Sequence, residues 1–207
     1  YMISLPAAVV TIFGALTLMF HAKVRWTLAS TFFFLGLLGW AIGGIAAVID
    51  ATIAVNLKFH NTLWVPAHFH TYMLMCVVMW VLAFVAQLLE RAAGRAADVG
   101  RSQFAVATMV IGGFGLVGMW YVSGALGVPR RYAVQPLGTA GYSVAGAIFA
   151  LVFAVGFLVV LIEFASLAFA ARGSALSRPG ASAPAPELPA AVPDPDDVPL
   201  TTGTQVG

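Results

Sequence analysis

A bundle of membrane-spanning α-helices is the fold class this sequence predicts, all-α and multispan, and three observations predict it. The 207 residues are 61% hydrophobic and only 9% charged, against about 25% charged in an average soluble chain. Mean hydropathy is +0.95. The apolar residues also run continuously, over stretches near the roughly 20 residues a helix needs to cross a hydrocarbon core of about 30 Å. A membrane barrel would alternate apolar and polar positions instead.

Five spans follow in order. The first covers about Met2 to Phe20, the second about Thr27 to Ile53, and the third about Trp64 to Leu89. The fourth covers about Ser102 to Leu126 and the fifth about Ala140 to Ala171. Short polar loops separate them. Residues 1–172 are thus expected to form one transmembrane helical region. Residues 173–207, which include "RPGASAPAPELPAAVPDPDD", lack the apolar content to bury a core and are expected to be a disordered Pro/Ala-rich tail. The chain opens on Tyr1 within helix-like sequence, so helices upstream of it are expected to be missing.

Basic residues orient the spans. Lys23, Arg25, Arg91, Arg95, Arg101, Arg172 and Arg178 fall on one side, while Lys58, Arg130 and Arg131 fall on the other. The first side is expected to be cytoplasmic, with residue 1 outside, the tail inside, and the loops near 51–63 and 127–139 facing outward. A net charge of +2 is too small to imply nucleic acid or another acidic partner. The lone cysteine, Cys76, sits mid-span and reads as a small buried apolar side chain. Asp50, at the end of the second span, reads as interfacial, with a place in a water pool at that end of the bundle as the alternative. The glycines of "GWAIGG" (39–44) and "IGGFGLVG" (111–118) suit close helix packing. Trp40, Trp64, Trp80, Trp120, Tyr121 and Tyr132 include several near span ends, where an aromatic belt explains them.

The stretch "NTLWVPAHFHTYMLM" (61–75) holds His68 and His70 just inside the third span. A helix turns about 100° per residue, so positions i and i+2 lie on opposite faces. The two histidines therefore suit two separate partners better than one shared metal. Ionisable side chains inside a membrane are costly and tend to be functional, and imidazole is an axial ligand of haem iron. The spacing suits one helix carrying two haems with Phe69 between them; two interfacial histidines bonded to neighbouring helices would fit it equally. The outer loop "GVPRRYAVQP" (127–136) then places two arginines where the positive-inside bias opposes them. A carboxylate such as a haem propionate would compensate through the bidentate guanidinium fork; lipid headgroups would also serve.

"HNTLWVPAHFH" (60–70) together with "GVPRR" (127–131) resembles subunit I of the haem-copper oxidase superfamily, most closely its B family, and "LPAAVVTIF" (5–13) is similar to its proline-containing eighth helix. The resemblance covers nearly everything but the tail and identifies the five spans with helices 8–12. It implies that His68 is the proximal ligand of a high-spin haem and His70 an axial ligand of a low-spin haem. Phe69 would lie between the haems, Arg130 and Arg131 would hold the propionates, and His60 would lie near the propionates in a proton-exit region. Copper B is implied as well, with three histidines and a tyrosine supplied by earlier helices outside this chain. Where the A family has His-Asp this chain has His60-Asn61, and the acidic residue of the B family four positions earlier is Asn56. The A family's channel lysine has no counterpart near Val10 and Thr11. Hydroxyls at Thr11 and Thr17, and the intramembrane carboxylate of Glu163, are the proton-path candidates; bonding to a preceding helix carbonyl for the threonines and an interfacial placement for Glu163 are the plainer readings.

The implied function is the haem-binding part of a terminal oxidase of the cytochrome c or quinol type, reducing O2 to water with proton translocation in a bacterial-type inner membrane. It would work with subunit II, other membrane subunits, the missing helices of subunit I and a cytochrome c or quinol donor, and would be inactive alone, with no catalytic residue here beyond the haem ligands. Two alternatives remain: a nitric oxide reductase of the same superfamily, and a transporter or scaffold without redox chemistry.

Overall fold

The structure, a computed structural model, describes residues 4–132 and 134–176. The elements in chain order are α1 (Ser4–His21), α2 (Leu28–Asp50), α3 (Ile53–Phe59), α4 (Trp64–Tyr72), a π-helical segment (Met73–Val77), α5 (Val78–Ala93), α6 (Val99–Ala125) and α7 (Ala140–Leu176). Four stretches are long and apolar enough to cross a membrane: Leu28–Asp50, Trp64–Ala93, Val99–Ala125 and Ala140–Gly173. The fifth, α1, has 18 residues and is the short member of the set. The expected membrane bundle is what forms.

Three departures from the sequence reading are local. The second span stops at Asp50, and a separate short helix, α3, fills the loop that leads to the third span. The third span carries a π-helical segment immediately after the histidine pair; such inserts shift the register of everything that follows. The fifth helix runs on to Leu176, past the expected boundary at residue 172. The rest of the expected tail lies outside the described residues.

Helix ends follow the local chemistry. Thr27 and Ser30 form a reciprocal capping box that starts α2: Ser30 N donates to Thr27 Oγ1 at 3.3 Å and Thr27 N to Ser30 Oγ at 2.7 Å. Asp98 caps α6 by accepting from Arg101 N at 2.9 Å. Gly94 ends α5 at φ +66°, a left-handed conformation that costs glycine little.

The core is built of Phe32 on α2, Met75 and Met79 on the third span, Met109 on α6, and Val160 and Phe164 on α7. Glycines admit the close approaches. A Cβ on Gly39 would meet the backbone of Met75, and one on Gly112 the backbone of Phe153, whereas Gly118 faces open space. Gly36 and Gly43 continue the α2 stripe against Trp80 and Tyr72. Small residues let helix backbones touch where lipid offers no hydrophobic drive to association.

At the basic end Glu163, buried to 1% exposure, ties α7 to the α5–α6 loop. Its Oε1 accepts from Asp98 N at 2.9 Å and lies 3.8 Å from Arg95 Nη1. Its Oε2 lies 2.8 Å from Arg101 Nε but off the N–H axis, so that contact is an ion pair rather than an aligned hydrogen bond. Arg101→Leu leaves a buried carboxylate with one of its two arginines gone, a loss of about 1–2 kcal/mol after screening of the partly exposed guanidinium. Thermal denaturation of the detergent-solubilised protein should fall accordingly. Arg101→Leu with Glu163→Leu should lose less than the two single losses combined; strict additivity would mean the two side chains do not interact.

Candidate functional site

The end of the bundle that carries the histidines is assembled by backbone before any functional side chain is placed. Leu63 N donates to Val128 O at 2.9 Å and Arg130 N to Asn61 O at 2.9 Å, around an antiparallel bridge between Thr62 and Pro129. Gly127 turns the chain at φ +82° to allow this, and Val128 is fully buried beneath it. The "GVPRR" loop is thereby stitched to the turn that starts α4. Arg130, half-buried, and Arg131, exposed, are held at the end of the bundle that carries the histidines. Arg131 adopts φ +67°, unusual for a residue with a Cβ, which the flanking pairing enforces. Neither guanidinium has a carboxylate partner among the described residues. His60 caps the end of α3 nearby and is exposed.

Pro66 sits in the first turn of α4, where a missing N–H costs nothing. Its carbonyl takes the side chain of His70: Nδ1 to Pro66 O is 2.8 Å. A carbonyl can only accept, so this bond puts the hydrogen on Nδ1 and leaves the Nε2 lone pair free. The His70 ring stands edge-on to Trp120 of α6 at 4.8 Å. At the next residue, Thr71 Oγ1 donates to Ala67 O at 2.9 Å and meets Tyr121 Oη at 3.1 Å, fixing α4 against α6.

His68 faces the other way, toward α2. Its ring is edge-on to Tyr72 at 5.3 Å, and its Nδ1 lies 3.6 Å from Asp50 Oδ2. Its Nε2 is buried with no hydrogen-bond partner. Phe69, between the two, is 57% exposed. The opposite-face geometry expected from the i, i+2 spacing is therefore present, with α2 beside one imidazole and α6 beside the other.

This arrangement fits haem ligation by an internal criterion. A metal-binding histidine donates its other ring N–H to a carbonyl or carboxylate, which fixes the tautomer and the ring orientation. His70 has such an acceptor at Nδ1 in Pro66 O, His68 has a carboxylate oxygen 3.6 Å from Nδ1, at ion-pair distance, and the orphaned Nε2 of His68 is the atom a ligand would satisfy. Among the described residues no group of three or more His, Cys, Asp or Glu side chains gathers to hold a metal ion.

The structure does not bring the proton-path candidates to this place. Thr11 and Thr17 are both exposed on α1, which packs chiefly on α2. Glu163 meets α6 at Arg101, whereas α4 meets it at Tyr121; twenty residues of helix separate those contacts by about 30 Å. Glu163 is engaged by two arginines there. The sequence reading passed over Asp50 as the neighbour of His68. The signal that pointed to it is a carboxylate at a helix C-terminus, where the helix dipole disfavours negative charge. Trp120 and Tyr121, to which the sequence assigns no chemistry, contact His70 and Thr71.

Comparison with known proteins agrees in one direction. The family described as "Cytochrome C and Quinol oxidase polypeptide I" matches residues 1–159. Cytochrome c oxidase subunit 1 of Thermus thermophilus is 31% identical over 101 residues, covering 47% of this chain and 18% of the relative. Cytochrome c oxidase polypeptide 1 of Halobacterium salinarum is 31% identical over 134 residues, covering 63% of this chain and 22% of the relative. The alternative cytochrome c oxidase subunit 1 of Bradyrhizobium diazoefficiens is 26% identical over 130 residues, covering 63% and 22%. A solved heme-copper terminal oxidase dimer superposes with a TM-score of 0.60 at 28% identity, covering 68% of this chain and 26% of that one. The chain thus spans about a fifth of the length of these three curated relatives.

Proposed function

The chain belongs to the cytochrome c and quinol oxidase polypeptide I family, and from that premise we propose that it is the haem-binding part of a terminal respiratory oxidase, which reduces O2 to water with proton translocation. The observation that carries the proposal is the pair of imidazoles on opposite faces of α4, His70 bonded through Nδ1 to a carbonyl and His68 set with Nδ1 beside a carboxylate and Nε2 buried without a partner. His68 ligates the high-spin haem and His70 the low-spin haem, with Phe69 between them. Bound haem supplies one-electron chemistry at iron; this chain's part is to fix two ring orientations, exclude lipid from the irons and neutralise carboxylates at the outer end.

Arg130 and Arg131 perform the last task. Their loop is pinned to the turn before α4, so the guanidiniums are presented at the depth where propionates would emerge, and His60 stands beside the same water-facing edge. Copper B and its ligands belong to helices outside this chain. Subunit II, further membrane subunits and a cytochrome c or quinol donor complete the complex. The bundle crosses a bacterial-type inner membrane with the histidine end outward and the Glu163 end toward the cytoplasm. Thr11, Thr17 and Glu163 are the polar groups proton uptake would use, Glu163 only by releasing its arginines.

The full-length polypeptide purified with its partners should show two haems in different spin states, one of them reactive with carbon monoxide, and should consume O2. Absence of haem overturns the proposal; NO turnover without O2 consumption moves it to nitric oxide reduction. Arg131→Gln should shift a haem midpoint potential while haem content stays near that of the unsubstituted protein. An unchanged potential would assign the arginine pair to lipid headgroups.

A further inference from the structure

We propose that Asp50 is a positioning residue for His68: its carboxylate holds the Nδ1 hydrogen of the imidazole and raises the donor strength of Nε2 toward iron. This rests on the reading that His68 ligates haem iron, and it goes beyond that reading by naming the group that tunes it.

The placement of Asp50 needs a compensating partner. It is the last residue of α2, and no basic residue occupies that helix's final turn. The C-terminal end of a helix carries negative partial charge, so a carboxylate there is disfavoured. His68 Nδ1, 3.6 Å from Asp50 Oδ2, is the one ion-pair partner the described residues give it. Both side chains are largely withdrawn from solvent, at 21% and 20% exposure, so their attraction is less screened than at an open surface. Asp50 Oδ1 is buried and has no hydrogen-bond partner. That oxygen has no protein donor, and the other one lies toward the imidazole. Tyr72, edge-on to the ring at 5.3 Å, restrains it from turning away.

The two histidines thus differ in kind. His70 donates to a neutral carbonyl, that of Pro66. His68 faces a charged acceptor. A carboxylate draws the Nδ1 hydrogen more strongly, and the imidazole gains anionic character that favours ferric over ferrous iron. One helix would in this way give two irons different donors without differing in ligand type.

The test uses the full-length haem-loaded complex with Asp50→Asn and Asp50→Glu. The readouts are the iron–histidine stretching band of the ferrous high-spin haem and the midpoint potential of that haem. Asp50→Asn, nearly the same in shape, should lower the band frequency and raise the potential by a shift equivalent to about tenfold in the ferric/ferrous ratio, or about 59 mV for one electron. Asp50→Glu should restore both in large part, and the low-spin haem at His70 should keep its spectrum. A band and potential unmoved by Asp50→Asn overturn the proposal alone. If His68→Gly leaves the band of the high-spin haem in place, the ligand assignment itself fails and the proposal with it.

Discussion

His70→Ala in the full-length complex removes the low-spin haem signal and leaves the high-spin one, and His68→Ala does the reverse. The separation follows from the helix, since the two imidazoles point to opposite sides and share no hydrogen-bond partner. His70 is braced by Pro66 O and Trp120; His68 is set between Asp50 and Tyr72. Neither brace passes through the other ring, so deleting one imidazole leaves the other oriented. Alanine is a good helix former and leaves the α4 backbone undisturbed. On the proposed ligation each substitution would take one protein ligand from one iron, so the expected effect is near-complete loss of that haem and of O2 consumption, with the second haem retained close to full occupancy. Optical and paramagnetic resonance spectra of the two variants decide the matter. Equal loss of both signals from a folded protein would show that the faces do not act separately.

Gly39→Val should be the most damaging substitution that touches no candidate ligand. A Cβ at residue 39 would meet the carbonyl group of Met75, a backbone atom inside the π-helical segment, so no side chain can swing aside to make room. Met75 itself is fully buried. Relief requires α2 to retreat as a rigid body, which would also open the contacts of Gly36 with Trp80 and Gly43 with Tyr72. Overpacking of this kind costs about 1–3 kcal/mol, with the upper end expected for a backbone contact. The contact lies five residues beyond His70 on the same span, so haem content should fall along with the denaturation temperature. Gly44→Ala is the control, because the nearest atom there is Tyr72 Oη at 3.8 Å, an ordinary contact. Equal melting of the two variants would show that α2 does not depend on this approach.

Composition and periodicity carried the architecture, because continuous apolar runs admit few solutions in lipid. The spans near residues 64–89, 102–126 and 140–171 were legible to within a few residues at their N-terminal ends for this reason. The histidine faces were legible as well, since 100° per residue is a property of any helix. The two arginines were legible as an anomaly of charge placement, and the loop "GVPRR" as the turn that carries them.

What the sequence left undetermined depended on neighbours far apart in the chain. Asp50 reads as interfacial until the turn of helix α4 sets His68 beside it. Glu163 reads as an intramembrane carboxylate until Arg95 and Arg101 reach it across the end of the bundle. The π-helical segment has no local signature; it joins α4, which packs on α6 and α2, to α5, which packs on α2 and α7. The sequence by itself determined a multispan helical bundle, its spans and the opposed histidines, since these follow from helix geometry and the exclusion of unpaired backbone from lipid. Only the tertiary structure decided which acceptor each imidazole faces and where the arginine loop is pinned, because those contacts join residues that no periodicity links.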